Sequence, residues 1–295
     1  MNKADLIPLT ELDEKRTNPM IWEGEEQPQG VFLGGAPDDD PLALLGTPPM
    51  VLPAQPRLPD DFEATPALRD WLRQLRSLLD RAGRDPSAVG RLPTAELDAV
   101  SRQAITEILG EGEVAGSVTL DGVRHDLQES VLTGVWQVRD DTGRCMVEVG
   151  PVPAVVTRAA ASLRPAPLRL PEPTGAVMNG AAILAEISDR AANWQGGENH
   201  VINFTLLPMT EEDHELLIRV LGRAELSLTS GGFGDCRIMA STVRHVWAVQ
   251  YVNAMGHTIL DTIEIGDVPR AACAGREDFE DSAERLGEIL EAYGL

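Results

Sequence analysis

Basic charge is scarce in this sequence: 25 Lys and Arg stand against 47 Asp and Glu over 295 residues, a formal net charge of −22. A chain that neutralises phosphates needs a basic surface, so nucleic acid is not an expected partner. The acidic field instead favours solubility and attraction to a cationic partner. Cysteine is scarcer still. Cys145, Cys236 and Cys273 are too few and too scattered for a disulfide framework and form no CxxC pair. A zinc or iron–sulfur site takes clustered ligands, so no resident metal or other cofactor is expected. Long apolar runs are missing too. No window reaches the roughly 18 residues of a membrane span, and Met1–Leu9 lacks the apolar stretch of a signal peptide. The expected location is the cytoplasm.

Catalytic signatures are also missing. There is no GxSxG elbow and no HExxH helix. Ser230-Gly231-Gly232-Phe233-Gly234-Asp235-Cys236 is glycine-rich, but it lacks the Lys-Ser/Thr ending of a phosphate loop and leads into a strand. No catalytic residue is nominated, and a binding protein is expected rather than an enzyme.

Residues 1–63 hold about half of the 21 prolines, the Asp38-Asp39-Asp40 run and the Pro48-Pro49 pair. They read as an extended, Pro-rich, acidic and disordered arm with apolar islands such as Met20-Ile21-Trp22. Structure is expected from Thr65, a helix cap followed by Pro66 at the first helical position. Leu68, Trp71, Leu72, Leu75, Leu78 and Leu79 then share one helical face. A second helix is expected from a Thr94 cap through Leu97, Val100, Ala104, Ile105 and Ile108 to Gly110. Strands follow at Val114 to Leu120, Val123 to Gln128, Val131 to Arg139 and Arg144 to Val149, with Asp121-Gly122 as a hairpin turn.

The second half repeats this order. Ile183, Leu184 and Ile187 lie on a helix, and a Thr210-capped helix ends at Gly222. Strands are expected at Glu225 to Thr229, Cys236 to Ser241, Val243 to Val252 and Thr258 to Ile265. Val135-Trp136-Gln137-Val138 matches Val246-Trp247-Ala248-Val249, and Val147-Glu148-Val149-Gly150 matches Ile263-Glu264-Ile265-Gly266. The order and near-constant offset predict an internal duplication. The expected fold is α+β: two tandem units, 64–173 and 174–295, each with helices packed on a small antiparallel sheet. A last helix with Phe279, Ala283, Leu286, Ile289, Leu290 and Tyr293 on one face closes the second unit.

The candidate binding surface is the glycine turn with its flanking residues: Gly231, Gly232, Phe233, Gly234, Asp235, Cys236 and Arg237. Loops on a rigid sheet commonly bind. Cys236 has two readings. It is a small buried thiol, or a partly exposed one that Arg237 would shift toward thiolate and Asp235 away from it. His125, His200, His214, His245 and His257 are dispersed. A metal held by Cys236, His245 and His257 is geometrically conceivable in an antiparallel sheet, but a packed, hydrogen-bonded His245 is the preferred reading. Trp136 and Trp247, at matched positions, are expected in the core.

Four blocks of the second half carry a family resemblance: Leu207-Pro208-Met209-Thr210, Gly232-Phe233-Gly234-Asp235-Cys236-Arg237-Ile238, Val246-Trp247-Ala248-Val249-Gln250-Tyr251 and Leu260-Asp261-Thr262-Ile263-Glu264. With the closing Glu280-Asp281-Ser282-Ala283-Glu284-Arg285-Leu286, residues 200–293 closely resemble the HupH/HyaF hydrogenase-expression proteins. Phe233 stands where that pattern more often has tyrosine, and Ala248 where it has a second aromatic. The resemblance implies a cytosolic, non-enzymatic accessory factor for maturation of uptake nickel–iron hydrogenases. Its implied client is the iron–sulfur-bearing small-subunit precursor, with other maturation chaperones as further partners. The alternative is a redox-active or iron–sulfur-delivering factor acting through Cys236.

Overall fold

Thr65 starts the first helix as its spacing requires: its hydroxyl accepts from Leu68 N at 3.2 Å, and Pro66 follows at the first position. α1 (Pro66–Arg84) buries Leu68, Leu72, Leu75 and Leu79 completely, and each contributes on the order of 2 kcal/mol by leaving water. The computed structural model describes residues 58–59, 62–170, 177–231, 235–253 and 255–294. The expected arm therefore lies almost wholly outside the described residues, as do Gly232, Phe233 and Gly234. Leu58 and Phe62, just before α1, belong to the core beneath it.

After α1 come β1 (Gly90–Pro93), α2 (Ala99–Leu109), β2 (Val114–Leu120), β3 (Val123–Glu129), β4 (Val135–Asp140), β5 (Cys145–Val149) and α3 (Ala154–Ser162). The second half runs α4 (Gly180–Ala192), β6 (His200–Asn203), a 3-10 turn (Phe204–Leu206), α5 (Glu211–Leu221), β7 (Arg223–Ser230), β8 (Asp235–Ser241), β9 (Val246–Val252), β10 (Thr258–Ile265) and α6 (Arg276–Ala292). Two helix starts differ in kind. Thr210 caps α5 in a reciprocal box with Asp213, as expected. Thr94 does not cap α2: its hydroxyl donates to Cys145 O, and Asp98 caps the helix instead.

The strands form one ten-stranded antiparallel sheet in the order β1-β5-β4-β3-β2-β7-β8-β9-β10-β6. Two small separate sheets were expected; β2 and β7 join them edge to edge, Val114 opposite Ser230 and Val118 opposite Leu226. Gly116 permits this seam, because a Cβ there would stand 2.2 Å from Ser227 O. One face of the sheet carries two cores. Val135, Val147 and Val149 pack beneath α1 and α2, and Met239, Val246, Ala248, Ile263 and Ile265 pack beneath α4 and α5. On the other face a central core spans the seam, with Val118, Trp136, Leu228, Ile238 and Trp247 under Val155 and Val156 of α3.

Contacts recur at matched positions in the two halves. Trp136 Nε1 donates to Gly150 O at 3.1 Å, and Trp247 Nε1 to Gly266 O at 3.3 Å. Gly150 N donates to Gly134 O at 3.0 Å, and Gly266 N to His245 O at 2.8 Å. Gly134 (φ 83°) and His245 (φ 66°) share the left-handed conformation at these turns. The strands expected to begin at Val131 and Val243 therefore begin later, at Val135 and Val246, after a turn that strand periodicity does not mark. Serines pin both turns, Ser130 Oγ donating to Leu132 O and Ser241 Oγ to Val243 O.

The last helix does not stay with its own half. Phe279, Ala283, Leu286 and Ile289 of α6 enter the core beneath α1, beside Leu68, Leu72 and Leu79. Ser282 Oγ donates to Thr133 O at 3.0 Å, and Phe279 fills the space left open by Gly134, where a Cβ would lie 2.3 Å from Phe279 Cε1.

Candidate functional site

Of the seven residues singled out around the glycine turn, the four described ones, Gly231, Asp235, Cys236 and Arg237, separate once the backbone is laid down. Gly231 N donates to Glu113 O at 2.8 Å, which ties the turn to the start of β2. Asp235 is exposed at the first position of β8, opposite Val252. Successive strand residues face opposite sides, so Cys236 enters the central core under α3 while Arg237 lies on the opposite face, that of α4 and α5, between Thr229 and Gln250.

Cys236 is buried. Burial pushes its thiol up to about 11, against the hydrogen bond it shares with Tyr251, and Glu264 adds to the rise. Tyr251 is pushed up to about 12 by burial, by Cys236 and by Glu264. Arg237 is not among the groups that set the Cys236 thiol, because it points to the other face. Cys273 is pushed up to about 12 by burial and the carboxylates of Asp267 and Glu264, with its thiol directed at Pro269 O at 3.4 Å. Cys145 is raised by burial too. All three cysteines are protonated thiols at neutral pH, and thiolates are what bind metals and attack disulfides.

The histidines are held singly. His245 Nδ1 lies 3.2 Å from Gly266 O, His200 Nε2 lies 2.7 Å from Glu186 Oε1, and His214 Nδ1 lies 3.0 Å from Thr210 O. Among the described residues no three His, Cys, Asp or Glu side chains cluster as metal ligands, so Cys236, His245 and His257 are not brought together. No helix of the described residues is long and apolar enough to cross a membrane. Two shallow grooves mark the described surface. One lies between α1 and α6, lined by Arg76, Asp80, Glu280, Glu284 and Glu288; the other lies beside α2, lined by Arg102, Gln137, Arg139 and Cys145. Neither holds a nucleophile hydrogen-bonded to a base.

The sheet end that carries the glycine turn has another character, which sequence reading missed. Next to β8, the connection from β9 to β10 is an Asx turn in which Asn253 Oδ1 accepts from Met255 N and His257 N. A bulge then displaces Ile259 between Thr258 and Leu260. Beyond β10, the 3-10 turn is tied on by Asp261 N donating to Thr205 Oγ1 at 3.0 Å. Met255 (79%), Leu206 (78%) and Ile259 (58%) are exposed along this end, with Leu207 beside them. Single exposed apolar residues need no explanation, but their recurrence along one sheet end makes it the candidate interaction surface. The available signal was Leu206-Leu207-Pro208: two large apolar residues followed by proline, just before a helix cap.

Two buried carboxyls stand outside that end. Asp213 is fully buried. Its burial opposes the charge, but N–H groups of Thr210, Gly180, Asn179 and Met178 outweigh it and hold the carboxyl below its usual range. Asp213 thereby clamps α4 to α5. Glu129, at the end of β3, accepts from Gly134 N at 2.9 Å. Burial pushes it up to about 7, against that hydrogen bond, and the carboxylates of Asp278 and Glu113 add to the rise.

These features define a class: an α+β protein built on one large antiparallel sheet, with exposed apolar side chains at one sheet end. Residues 177–293, which contain that end, match the family model of the HupH hydrogenase expression protein, C-terminal conserved region. The chain is 41% identical over 276 residues to the hydrogenase expression/formation protein HupH of Rhodobacter capsulatus, covering 90% of this chain and 96% of that one. It is 46% identical over 199 residues to the HupH of Rhizobium leguminosarum bv. viciae, 65% and 70% of the respective chains. It is 32% identical over 201 residues to the hydrogenase-1 operon protein HyaF of Escherichia coli K12, 66% and 70% of the respective chains. The chain belongs to the HupH/HyaF family of hydrogenase expression/formation proteins.

Proposed function

We propose that this protein is a cytoplasmic, non-enzymatic accessory factor in nickel–iron hydrogenase maturation that binds the iron–sulfur small-subunit precursor. The observation that carries the binding reading is the apolar sheet end of Leu206, Leu207, Met255 and Ile259 within a chain of net charge −22. Apolar contacts supply affinity there, and the acidic surroundings select a cationic client and speed its encounter. The described flanks of the glycine turn, Gly231 and Asp235, extend this surface, whereas Cys236 lies buried behind it, and other maturation chaperones share the surface in turn.

The matched hydrogen bonds of the two halves support descent by duplication of one unit, with 64–173 and 174–295 as the copies and 1–63 as an added arm. The protonated state of the three thiols favours this binding role over a redox or cluster-delivering role for Cys236. The deciding experiment is capture of the small-subunit precursor by the tagged full chain from hydrogenase-producing cells. Capture that weakens with salt, and with Leu206→Ser/Met255→Ser/Ile259→Ser, is expected. A tagged chain that leaves an abundant precursor behind refutes the proposal.

A further inference from the structure

The two edges of the ten-stranded sheet are treated differently. β1 is guarded: it ends in Pro93, and Gly90 is pressed so closely beneath α1 that a Cβ there would lie 2.2 Å from a Leu78 methyl. β6 carries no such guard among the described residues. It pairs with β10 on one side only, and Val201 at its middle is 52% exposed. Natural edges are usually blunted by proline, charge or a covering element.

The direction of the free backbone groups follows from the register. Asp261 N points toward the β6 side, where Thr205 Oγ1 accepts its hydrogen, and Gly266 N points to the β9 side, to His245 O. Alternation along β10 then directs the backbone groups of Ile263 and Ile265 to β6, opposite Ile202 and His200. The N–H and C=O of Val201 and the N–H of Asn203 are left pointing away from the sheet, while Asn203 O opens the 3-10 turn. They offer the donors and acceptors that a further strand requires, and Val201 supplies an exposed apolar side chain beside them.

We propose that β6 is a strand-addition site for an extended segment of a partner protein in which apolar and basic residues alternate. The occupant follows from charge. Over residues 177–221, which flank this edge, acids outnumber bases seven to two, so an added strand gains from basic side chains on its solvent face. The same count disfavours a second copy of this chain. It also disfavours the chain's own N-terminal residues 1–57, where acids outnumber bases ten to four. The inference deepens the maturation reading by naming how a client segment is held.

The test isolates the backbone. Val201→Pro removes one outward N–H without touching the β10 ladder, and an edge strand tolerates proline at such a position. Val201→Thr changes the side chain and keeps the N–H. Binding of a fluorescein-labelled decapeptide alternating valine and lysine is read by polarisation on the full chain. Val201→Pro is expected to weaken binding about tenfold and Val201→Thr less than about twofold. On the wild-type chain, the peptide is also expected to slow amide exchange at Val201 and Asn203, a readout that holds if Val201→Pro fails to fold.

Equal binding by wild type and Val201→Pro overturns the proposal, as does equal loss in both variants. Dissociation of a wild-type dimer by Val201→Pro overturns it as well, because the edge would then pair with a second copy. If Val201→Pro still captures the small-subunit precursor as the wild type does, the edge assignment fails and the maturation reading stands. If wild type ignores the precursor while the peptide binds with the expected proline sensitivity, the maturation reading fails and the edge assignment stands.

Discussion

Replacing Glu129 by glutamine should stabilise the protein above neutral pH and leave it nearly unchanged in acid. Glu129 is buried at the end of β3, its carboxyl held at about 7 against an ordinary value of 4.5. A carboxyl raised on folding contributes its full stability below the unfolded pKa, and that contribution is lost as pH rises through the folded value. The raised pKa corresponds to about 3 kcal/mol, one unit being about 1.4 kcal/mol. That is a sizeable share of a typical stability of roughly 5–15 kcal/mol. Glutamine keeps an Oε1 acceptor for Gly134 N, which stands 2.9 Å from the carboxylate oxygen, and it cannot ionise. Urea denaturation of both proteins at pH 5, 6, 7 and 8 gives the difference directly, since every other titrating group is common to the pair. The glutamine variant should be ahead by up to about 3 kcal/mol at pH 8, with the gap closing toward pH 5. A pH-independent gap, or a variant less stable at pH 8, would show that the carboxylate is charged and satisfied in place, and the reasoning from burial would fall.

Three further outcomes are expected. Gly134→Ala combines a φ of 83° with a Cβ 2.3 Å from Phe279 Cε1, and thermal unfolding should show a loss of at least about 2 kcal/mol. Asp213→Asn places an amide donor among backbone N–H groups and should cost about 2–3 kcal/mol near neutral pH. The gap to wild type should shrink as pH falls below the ordinary carboxylate range, because the native Asp213 pKa is lowered. Cys236→Ala should leave precursor capture intact and cost about 1–2 kcal/mol in denaturation, while native wild-type chain at pH 7.5 should react with a thiol reagent only slowly. Rapid labelling at Cys236 would contradict its burial.

Local features were legible in the sequence, and distant ones were not. Thr65-Pro66 and the leucine face announced α1, and Thr210 with Asp213 announced α5, because caps and helical periodicity are written within a few residues. Thr94 misled because its hydroxyl serves β5 instead, a partner 51 residues away. β1 and β6 were missed: four residues are too few for alternation to stand out. His245 hid a turn inside an apparently continuous strand, since a left-handed histidine gives no glycine to mark it. The seam between β2 and β7 is set by backbone pairing and the absence of a side chain at Gly116. The apolar face of α6 was plain, but an apolar face does not name its partner. At the candidate surface the glycine turn was visible, whereas Met255, Leu206 and Ile259 fall at the same sheet end only through pairing of β10 with its neighbours.

The crossing of α6 to α1 imposes an order on synthesis. The leucine face of α1 lies near the start of the described chain, and Phe279 and Leu286, which help to close its core, emerge some 200 residues later. A chain still on the ribosome therefore carries an open apolar groove, and the first half cannot finish folding by itself. Contacts spanning some 200 residues also make folding slow and unfolding cooperative, so removing the final helix should expose both halves to aggregation rather than release one intact unit.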